Sequence, residues 1–286
     1  MITAILRLIR PHQWSKNLLV LVPVVISHNW GETDAWVAAI TGAVAFCFAA
    51  SSTYVLNDWL DRDADRAHPD KRDRPFASGS LRSSRLLWLV PLLAGVSLAI
   101  ASSVNSSFLL ADVIYLAIAW SYCFFIRGWL WLDALALAAL YTLRVVAGAY
   151  AIEVVPSPWL LGFSIFLFFS LAAVKRQQDL SVPGAAAYHR AYRIEDRPVV
   201  LAIGSATGVA AVLVLALYIN SEEMLILYRY PLWLWLMCPL LLYWLARLWT
   251  LAYRGELHAD PVLFALRDPA SWALALLSLV CIALAT

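Results

Sequence analysis

The residues best suited to chemistry form an acidic stretch that begins at Asn57 and reads Asn-Asp-Trp-Leu-Asp-Arg-Asp-Ala-Asp. At about 100° per residue in an α-helix, Asp58, Asp61 and Asp65 fall within about 60° of one another. Asn57 widens this arc to about 100°, and Asp63 points to the other side. Carboxylates this close repel one another, so the shared face needs a cation near neutral pH. The spacing therefore predicts a metal site formed by Asn57, Asp58, Asp61 and Asp65.

Magnesium is the metal that these ligands favour. Mg²⁺ prefers hard oxygen ligands and is usually shared between one or two carboxylates and the phosphates of a substrate. The acidic stretch therefore predicts phosphate or diphosphate chemistry, and Lys71 and Arg74 in the following loop are candidate phosphate ligands. The alternative is a solvated loop whose charges form surface ion pairs. That alternative does not explain why the acids share a face.

The chain that must position these residues is too apolar for a soluble domain. Of its 286 residues, 63% are hydrophobic and 14% are charged, with a mean hydropathy of +0.74. Its apolar stretches suit helices that cross a hydrocarbon core of about 30 Å. We therefore expect an all-α polytopic membrane protein, with one transmembrane domain over residues 1–286 and nine transmembrane helices. The approximate spans are Leu18 to Trp30, Trp36 to Leu56, Leu86 to Val104, Phe108 to Ile126, Leu130 to Ile152, Trp159 to Val174, Val199 to Asn220, Leu232 to Leu251 and Ala270 to Ala285.

The positions of the cations predict the orientation. With nine crossings and the N-terminus inside, every Lys and Arg except Arg144 and Arg229 falls on the cytoplasmic side. We therefore expect an inner-membrane protein whose N-terminus and charged loops are cytoplasmic. No cleaved signal peptide is expected, because the segment from Arg10 to Asn17 is polar and the next apolar run lacks a small-residue cleavage site.

A second charged segment runs from Lys175 to Arg197. Arg176 and Asp179 are spaced i, i+3, which in a helix allows an ion pair worth about 0.2–0.5 kcal/mol. The alternative is an anion site, in which Lys175 or Arg176 binds the phosphate of a lipid substrate at the membrane boundary. Asp179 and Tyr192 belong to the same candidate substrate site.

Two charged residues lie inside the fifth predicted span. Asp133 and Arg144 are eleven residues apart, so they share a helix face but are separated by about 16 Å along the axis. They cannot bind each other directly. Because charge inside a bilayer faces a cavity or a partner, we expect Arg144 to line a polar cavity and Asp133 to face the metal site. Small neighbours such as Gly148 alternatively serve close helix packing.

The acidic stretch and the loop after it closely resemble the first signature of the UbiA superfamily of intramembrane prenyltransferases. The matching residues read Asn57-Asp58-x-x-Asp61-x-x-x-Asp65, then Lys71, then Arg74-Pro75-x-x-Ser78-Gly79. The resemblance implies nine transmembrane helices around a central cavity, capped by cytoplasmic loops. It also implies that the acidic positions hold Mg²⁺ and a diphosphate.

The second charged segment differs from members with aromatic acceptors, which carry a second acid-rich motif there. Here Lys175-Arg176-x-x-Asp179 is followed by no further acid until Glu195. This departure resembles the decaprenyl-phosphate phosphoribosyltransferase branch, whose members join phosphoribosyl pyrophosphate to a polyprenyl phosphate. Two further segments carry the same resemblance: Arg10-Pro11-His12-Gln13-Trp14-Ser15-Lys16-Asn17 and Leu143-Arg144-Val145-Val146-Ala147-Gly148.

The resemblance implies Mg²⁺-dependent transfer of phosphoribose from phosphoribosyl pyrophosphate to a polyprenyl phosphate, with release of diphosphate. The lipid phosphate attacks as an oxyanion, so the reaction needs cations to bring two anions together more than it needs a base. The expected partners are these two substrates, the bilayer and a second copy of the chain, with no nucleic acid. The expected catalytic residues are Asp58, Asp61, Asp65, Lys175 and Arg176. The expected substrate-binding residues are Lys16, Asn17, Asn57, Lys71, Arg74, Arg144, Asp179 and Tyr192.

Two other functions are compatible with parts of the sequence. Prenyl transfer to an aromatic acceptor such as 4-hydroxybenzoate uses the same first signature, but the missing second acidic motif counts against it. A lipid or ion transporter would also carry charge in the membrane. The polar residues of this chain gather in loops, however, and do not form a trail through the predicted spans.

Overall fold

The computed structural model describes residues 2–27, 31–67, 72–79, 86–181, 191–257 and 260–286. Every regular element in these ranges is a helix, which confirms the all-α prediction. The α-helices are α1 (Ile2–Ile9), α2 (Val22–Ile26), α3 (Thr33–Leu60), α4 (Arg62–Ala67), α5 (Leu89–Val104), α6 (Ser106–Phe124), α7 (Leu132–Ala151), α8 (Pro158–Asp179), α9 (Arg197–Ile219), α10 (Glu222–Leu227), α11 (Met237–Arg254), α12 (Pro261–Arg267) and α13 (Pro269–Ala285). The 3-10 helices are Pro11–Leu21, Ile126–Gly128, Ile194–Asp196 and Pro231–Leu236.

Six helices in the described ranges are long and apolar enough to cross a bilayer. They are α3, α6, α7, α8, the segment Ile194–Ile219 that contains α9, and the segment Pro231–Arg254 that contains α11. The pair α12 and α13, bent by 80°, makes a seventh if it is counted as one span. The apolar helix α5 is shorter. Nine spans around a central cavity, with cytoplasmic loops, therefore stay a prediction.

The first predicted span differs most from expectation. Its residues do not form one long α-helix, because Pro11–Leu21 is a 3-10 helix and the α-helix that follows, α2, has only five residues. Pro11 and Pro23 each stand in the first turn of their helix, where a missing N–H costs no hydrogen bond. Each proline therefore starts a new short helix.

Contacts within the chain divide it into two units, of which the first comprises Met1–Ala136 and Leu140–Pro156. In this N-terminal unit α3 packs against α5 and α6. The ring of Phe46 lies in the core, with its centroid 5.8 Å from that of Phe108 and 4.8 Å from that of Tyr115. Asn105 caps α6 by accepting a hydrogen bond from the Phe108 amide. These contacts fix the helices that carry the acidic stretch.

The second unit comprises Leu137–Ala139 and Ser157–Thr286. Here α8 packs against α9 and α11. The Ser170 hydroxyl donates to the Gly204 carbonyl at 2.7 Å and accepts from the Trp249 indole at 3.1 Å, so one side chain joins three helices. Asp268 begins α13 by accepting from the Ser271 amide, and it also accepts two hydrogen bonds from Arg247. The single domain expected over residues 1–286 stays a prediction.

Candidate functional site

The candidate site in the N-terminal unit is built around Asp58, near the C-terminal end of α3. Asp58 is 2% exposed. Its Oδ1 atom accepts from Arg10 Nη2 at 2.5 Å and from Arg74 Nη1 at 3.3 Å. A buried carboxylate is stable only when it is paired and hydrogen-bonded, and here two arginines distant in sequence provide the pairing.

The two other acids of the shared face are also bound by arginines. Asp65 accepts from Arg74 Nη1 at 2.7 Å, so Arg74 bridges Asp58 and Asp65. Asp61 accepts from Arg127, which lies in the 3-10 helix Ile126–Gly128. The three carboxylates and three guanidinium groups pair in two sets: Arg10, Asp58, Arg74 and Asp65 form one chain of ion pairs, and Arg127 and Asp61 form a separate pair. These six residues together are the arginine network.

The backbone keeps the predicted register of these acids although α3 ends at Leu60. The Asp61 amide donates to the Asn57 carbonyl at 2.9 Å, and the Asp65 amide donates to the Asp61 carbonyl at 2.8 Å. The helical repeat thus continues across the break between α3 and α4. Asp63 is exposed and pairs with Arg62 and Arg66, away from the network, which confirms its predicted direction.

Hydrophobic anchors hold the arginines in place. Leu8 and Phe76, two residues away from Arg10 and Arg74 respectively, are buried in a cluster with Val55 of α3. The loop that carries Arg74 closes through a hydrogen bond of 2.8 Å from the Ser78 amide to the Arg74 carbonyl. Packing and a local turn therefore bring both guanidinium groups to the end of α3.

Arginines provide positive charge at the acidic face, and the predicted metal ion stays a prediction. In the described ranges, no group of three or more His, Cys, Asp or Glu side chains is arranged to hold a metal ion. Asp58 Oδ2 is nevertheless buried and has no hydrogen-bond partner among the described residues. Such an oxygen is costly unless something binds it, and carboxylate oxygens are the ligands that Mg²⁺ prefers. This one oxygen is therefore suited to bind Mg²⁺, whose presence at the site stays a prediction.

Other predicted residues of the N-terminal unit have contacts of their own. Asn57 Oδ1 lies 4.0 Å from Cys123 Sγ. Lys16 Nζ lies 5.7 Å from the centroid of the Tyr141 ring. Asp133 is buried in the first turn of α7, and its approach to a metal stays a prediction. Lys71 lies outside the described residues.

Arg144 forms a buried polar cluster with Asn17 and Tyr115. Its Nε donates to Asn17 Oδ1 at 2.9 Å, its Nη1 to the Leu140 carbonyl at 2.7 Å and its Nη2 to the Tyr115 hydroxyl at 2.7 Å. The guanidinium carbon also lies 4.8 Å from the centre of the Tyr115 ring. Arg144 therefore joins the 3-10 helix Pro11–Leu21 and α6 to α7, and the predicted roles of Arg144 and Asn17 toward a substrate stay predictions.

In the C-terminal unit, the predicted basic residues lie at the end of α8. The i, i+3 ion pair is formed, since Arg176 Nη1 donates to Asp179 Oδ2 at 2.9 Å. Arg176 is buried, with its guanidinium carbon 5.9 Å from the centroid of the buried Tyr192 ring. Lys175 Nζ lies 3.9 Å from Asp260 Oδ2. A role for these four residues toward an acceptor stays a prediction.

Two residues of the network were not among the predicted site residues. The charge pattern includes both Arg10 and Arg127, and the N-terminal segment includes Arg10, but neither pattern assigns them to the acidic face. The signal for Arg10 was its place beside Lys16 and Asn17 in that segment. Arg127 stands in a short loop between two apolar runs, and nothing local connects it to Asp61, 66 residues earlier.

Comparison with known proteins adds independent findings. The model of the UbiA prenyltransferase family matches residues 18–274. Nodulation protein NoeC of Azorhizobium caulinodans is 35% identical over 272 residues, which cover 92% of this chain and 86% of NoeC. The uncharacterized protein y4nM of Sinorhizobium fredii is 36% identical over 271 residues, but this chain spans only 52% of its length.

A relative named as a transferase and a solved structure are also similar to this chain. Decaprenyl-phosphate phosphoribosyltransferase of Mycolicibacterium smegmatis is 34% identical over 188 residues, covering 64% of this chain and 58% of that enzyme. A UbiA homologue from Archaeoglobus fulgidus, solved with DMAPP and Mg²⁺, superposes with a TM-score of 0.73 at 19% identity, covering 98% of this chain and 96% of that one. The family model matches most of the sequence, and the fold agrees with it. The chain is therefore a multi-pass integral membrane protein and a UbiA-type transferase, and it belongs to the UbiA prenyltransferase family.

Proposed function

We propose that the protein transfers phosphoribose from phosphoribosyl pyrophosphate to a polyprenyl phosphate and releases diphosphate, with Mg²⁺ as cofactor. The observation that carries the proposal is the arginine network on the acidic stretch, in which Arg10, Arg74 and Arg127 bind Asp58, Asp61 and Asp65. The similarity to the Mycolicibacterium smegmatis enzyme supports the same reaction.

The charge of the network supports two anionic substrates. Three carboxylates and three guanidinium groups cancel, so a divalent ion makes the site cationic and favours a diphosphate. A phosphoribosyl transfer must also bring an anionic acceptor towards an anionic donor. Arg176 and Lys175 in the C-terminal unit are assigned to that acceptor phosphate, since guanidinium groups bind phosphate oxygens well. A neutral aromatic acceptor requires fewer cations.

The reaction consists of one substitution at the anomeric carbon of ribose. An oxygen of the lipid phosphate forms the new bond to that carbon, and the bond from the carbon to the diphosphate oxygen breaks. The diphosphate leaves with the electron pair. The attacking oxygen is already anionic, so no side chain has to remove a proton from it. The residues therefore act mainly by position and charge.

Each predicted residue has a place in this scheme. Asn57, Asp58, Asp61 and Asp65 would hold Mg²⁺, which when bound stabilises the charge on the departing diphosphate. Lys71 and Arg74 would bind the diphosphate oxygens, and Lys16 would add positive charge from the N-terminal segment. Arg144 and Asn17, which bind each other, would contribute to substrate binding in the N-terminal unit. Asp179 and Tyr192 hold Arg176.

A direct assay distinguishes this function from aromatic prenyl transfer. The purified protein is incubated with labelled phosphoribosyl pyrophosphate and polyprenyl phosphate, and separately with prenyl diphosphate and 4-hydroxybenzoate. We expect a labelled lipid only from the first pair, lost on addition of EDTA and regained with Mg²⁺. Prenylated 4-hydroxybenzoate with no reaction of phosphoribosyl pyrophosphate would overturn the proposal but not the family.

A further inference from the structure

Arg10 is an unusual residue in the N-terminal segment because of its backbone. It joins α1 to the 3-10 helix Pro11–Leu21 and has φ 50° and ψ 62°, the left-handed conformation. A residue with a side chain rarely adopts this conformation, and its surroundings must hold it there. The Arg10 carbonyl accepts from the Gln13 amide at 2.9 Å, which holds the turn on its C-terminal side.

This turn directs the Arg10 side chain onto α3. Its Nη2 lies 2.5 Å from Asp58 Oδ1, and its guanidinium carbon lies 5.4 Å from the centroid of the Tyr54 ring. Tyr54 and Asp58 are one helical turn apart, so they form a single face that receives the guanidinium. The side chain is 18% exposed, which leaves part of it accessible from outside the protein.

The carboxylate that Arg10 binds is only half satisfied. Asp58 Oδ1 accepts from both Arg10 and Arg74, whereas Oδ2 is buried without a hydrogen-bond partner among the described residues. Arg74 has a second partner in Asp65 at 2.7 Å, so it is held by two acids. Arg10 is therefore the arginine of Asp58 whose release leaves the bridge between Asp58 and Asp65 in place.

A metal on Asp58 and a guanidinium on the same carboxylate compete. A divalent cation at Oδ2 lies close to any charge held by Oδ1, and like charges at such distances repel strongly in a buried site. A diphosphate that arrives with the metal removes the conflict, because its oxygens give the guanidinium a new anionic partner.

We propose that Arg10 is an exchangeable counter-ion: it neutralises Asp58 while no metal is bound, and it binds the substrate diphosphate once the metal is bound to Asp58. The inference rests on the proposed function, because it requires a metal and a diphosphate at this face. It adds a substrate-binding residue from outside the acidic signature. It also explains the left-handed turn at Arg10, because the turn keeps the guanidinium close to Asp58 and to a diphosphate bound beside it.

The exchange predicts opposite effects of one substitution on two binding equilibria. In Arg10→Gln, the competitor for Asp58 is gone, so Mn²⁺ alone should bind about tenfold more tightly than to the wild-type protein. At saturating Mn²⁺, labelled inorganic diphosphate should bind about tenfold more weakly, because a charged hydrogen bond is lost. Mn²⁺ binding is measured by the paramagnetic resonance signal of the free ion, with full-length protein in detergent.

Three further variants make the result specific. Arg7→Gln removes an exposed arginine from α1 and should leave both equilibria unchanged. Arg10→Lys keeps the charge, so it should restore wild-type Mn²⁺ affinity but recover diphosphate binding only in part, since lysine lacks the planar fork. Asp58→Asn should lose Mn²⁺ binding whatever residue stands at position 10. Melting temperatures show that each variant is folded.

The outcomes separate the inference from the proposed function. Equal or weaker Mn²⁺ binding by folded Arg10→Gln, with normal binding by the wild-type protein and loss in Asp58→Asn, would overturn the exchange and leave the metal site standing. Should Arg10→Gln not fold, the Arg10→Lys pattern decides, and unchanged diphosphate binding there would overturn the proposal. Absence of Mn²⁺ binding by the wild-type protein would overturn both.

Discussion

The carboxylate of Asp58 has one oxygen bound by two arginines and a second, buried oxygen with no hydrogen-bond partner among the described residues. The sequence predicts that this side chain, with Asp61 and Asp65, needs positive charge. The identity of the cation does not follow from the spacing, because Arg10 and Arg127 come from segments 48 and 66 residues away. Local spacing reports which groups share a face, whereas the fold decides what meets that face.

Replacing Asp58 tests the acidic face at the level of one atom. Asp58→Asn keeps the shape and one acceptor oxygen but removes the charge, so we expect the transferase rate to fall roughly 10²- to 10³-fold. The protein should still be recovered as a folded monodisperse species. Asp63→Asn is the matched control, because Asp63 is exposed on the opposite side of the same stretch. Comparable losses in both variants would mean that the whole loop, not this face, matters.

Beyond its predicted role toward the substrate, Arg144 should also stabilise the fold. Arg144→Met removes three side-chain hydrogen bonds to Asn17, Leu140 and Tyr115, and at about 0.6 kcal/mol each in a membrane protein the free energy of unfolding should fall by roughly 2 kcal/mol. Tyr115→Phe removes one of them and should cost about a third as much. Thermal unfolding in detergent measures both. A Met variant that keeps full stability but loses activity would leave Arg144 only its role toward the substrate.

At the scale of elements, the apolar runs and the charged breaks between them predict most helices. The helix α3 and its end near the acidic stretch follow the sequence closely. The segment before it does not, because the first predicted span begins at Leu18, whereas Leu18 to Leu21 belong to the 3-10 helix Pro11–Leu21. Hydropathy measures how strongly a segment avoids water, and it does not distinguish an α-helix from a 3-10 helix. Tertiary packing selects between them.

The close approach of α7 to that 3-10 helix gives a prediction of its own. A Cβ at Gly148 would collide with the Val20 carbonyl, so Gly148→Ala should lower the free energy of unfolding by about 1–3 kcal/mol. Gly95→Ala on α5 is the control, because nothing lies within 4 Å of the added methyl group and alanine favours a helix. Melting temperatures of the two variants should therefore move in opposite directions or differ by several degrees. Equal melting temperatures would show that this contact is loose.

At the scale of the whole molecule, each unit holds its own basic residues. In the N-terminal unit three arginines bind the acids of the signature, and in the C-terminal unit Arg176 is held by Asp179 and Tyr192. The sequence predicts both charged segments and the spacing within each. It cannot predict which acid pairs with which base across long separations, since many pairings satisfy the same charge pattern.

Substitution of Arg176 tests whether the acceptor is a lipid phosphate bound by the C-terminal unit. Arg176→Ala removes a buried guanidinium, so the KM for polyprenyl phosphate should rise about tenfold or more, the equivalent of about 1.4 kcal/mol, with little change in the KM for phosphoribosyl pyrophosphate. Arg176→Lys should recover part of the loss, because the charge remains while the fork geometry does not. Arg229→Ala removes an exposed arginine that also lies over a tyrosine ring, 5.4 Å from its centroid, and should change neither constant. A rise confined to phosphoribosyl pyrophosphate would assign the soluble donor, not the lipid, to the end of α8.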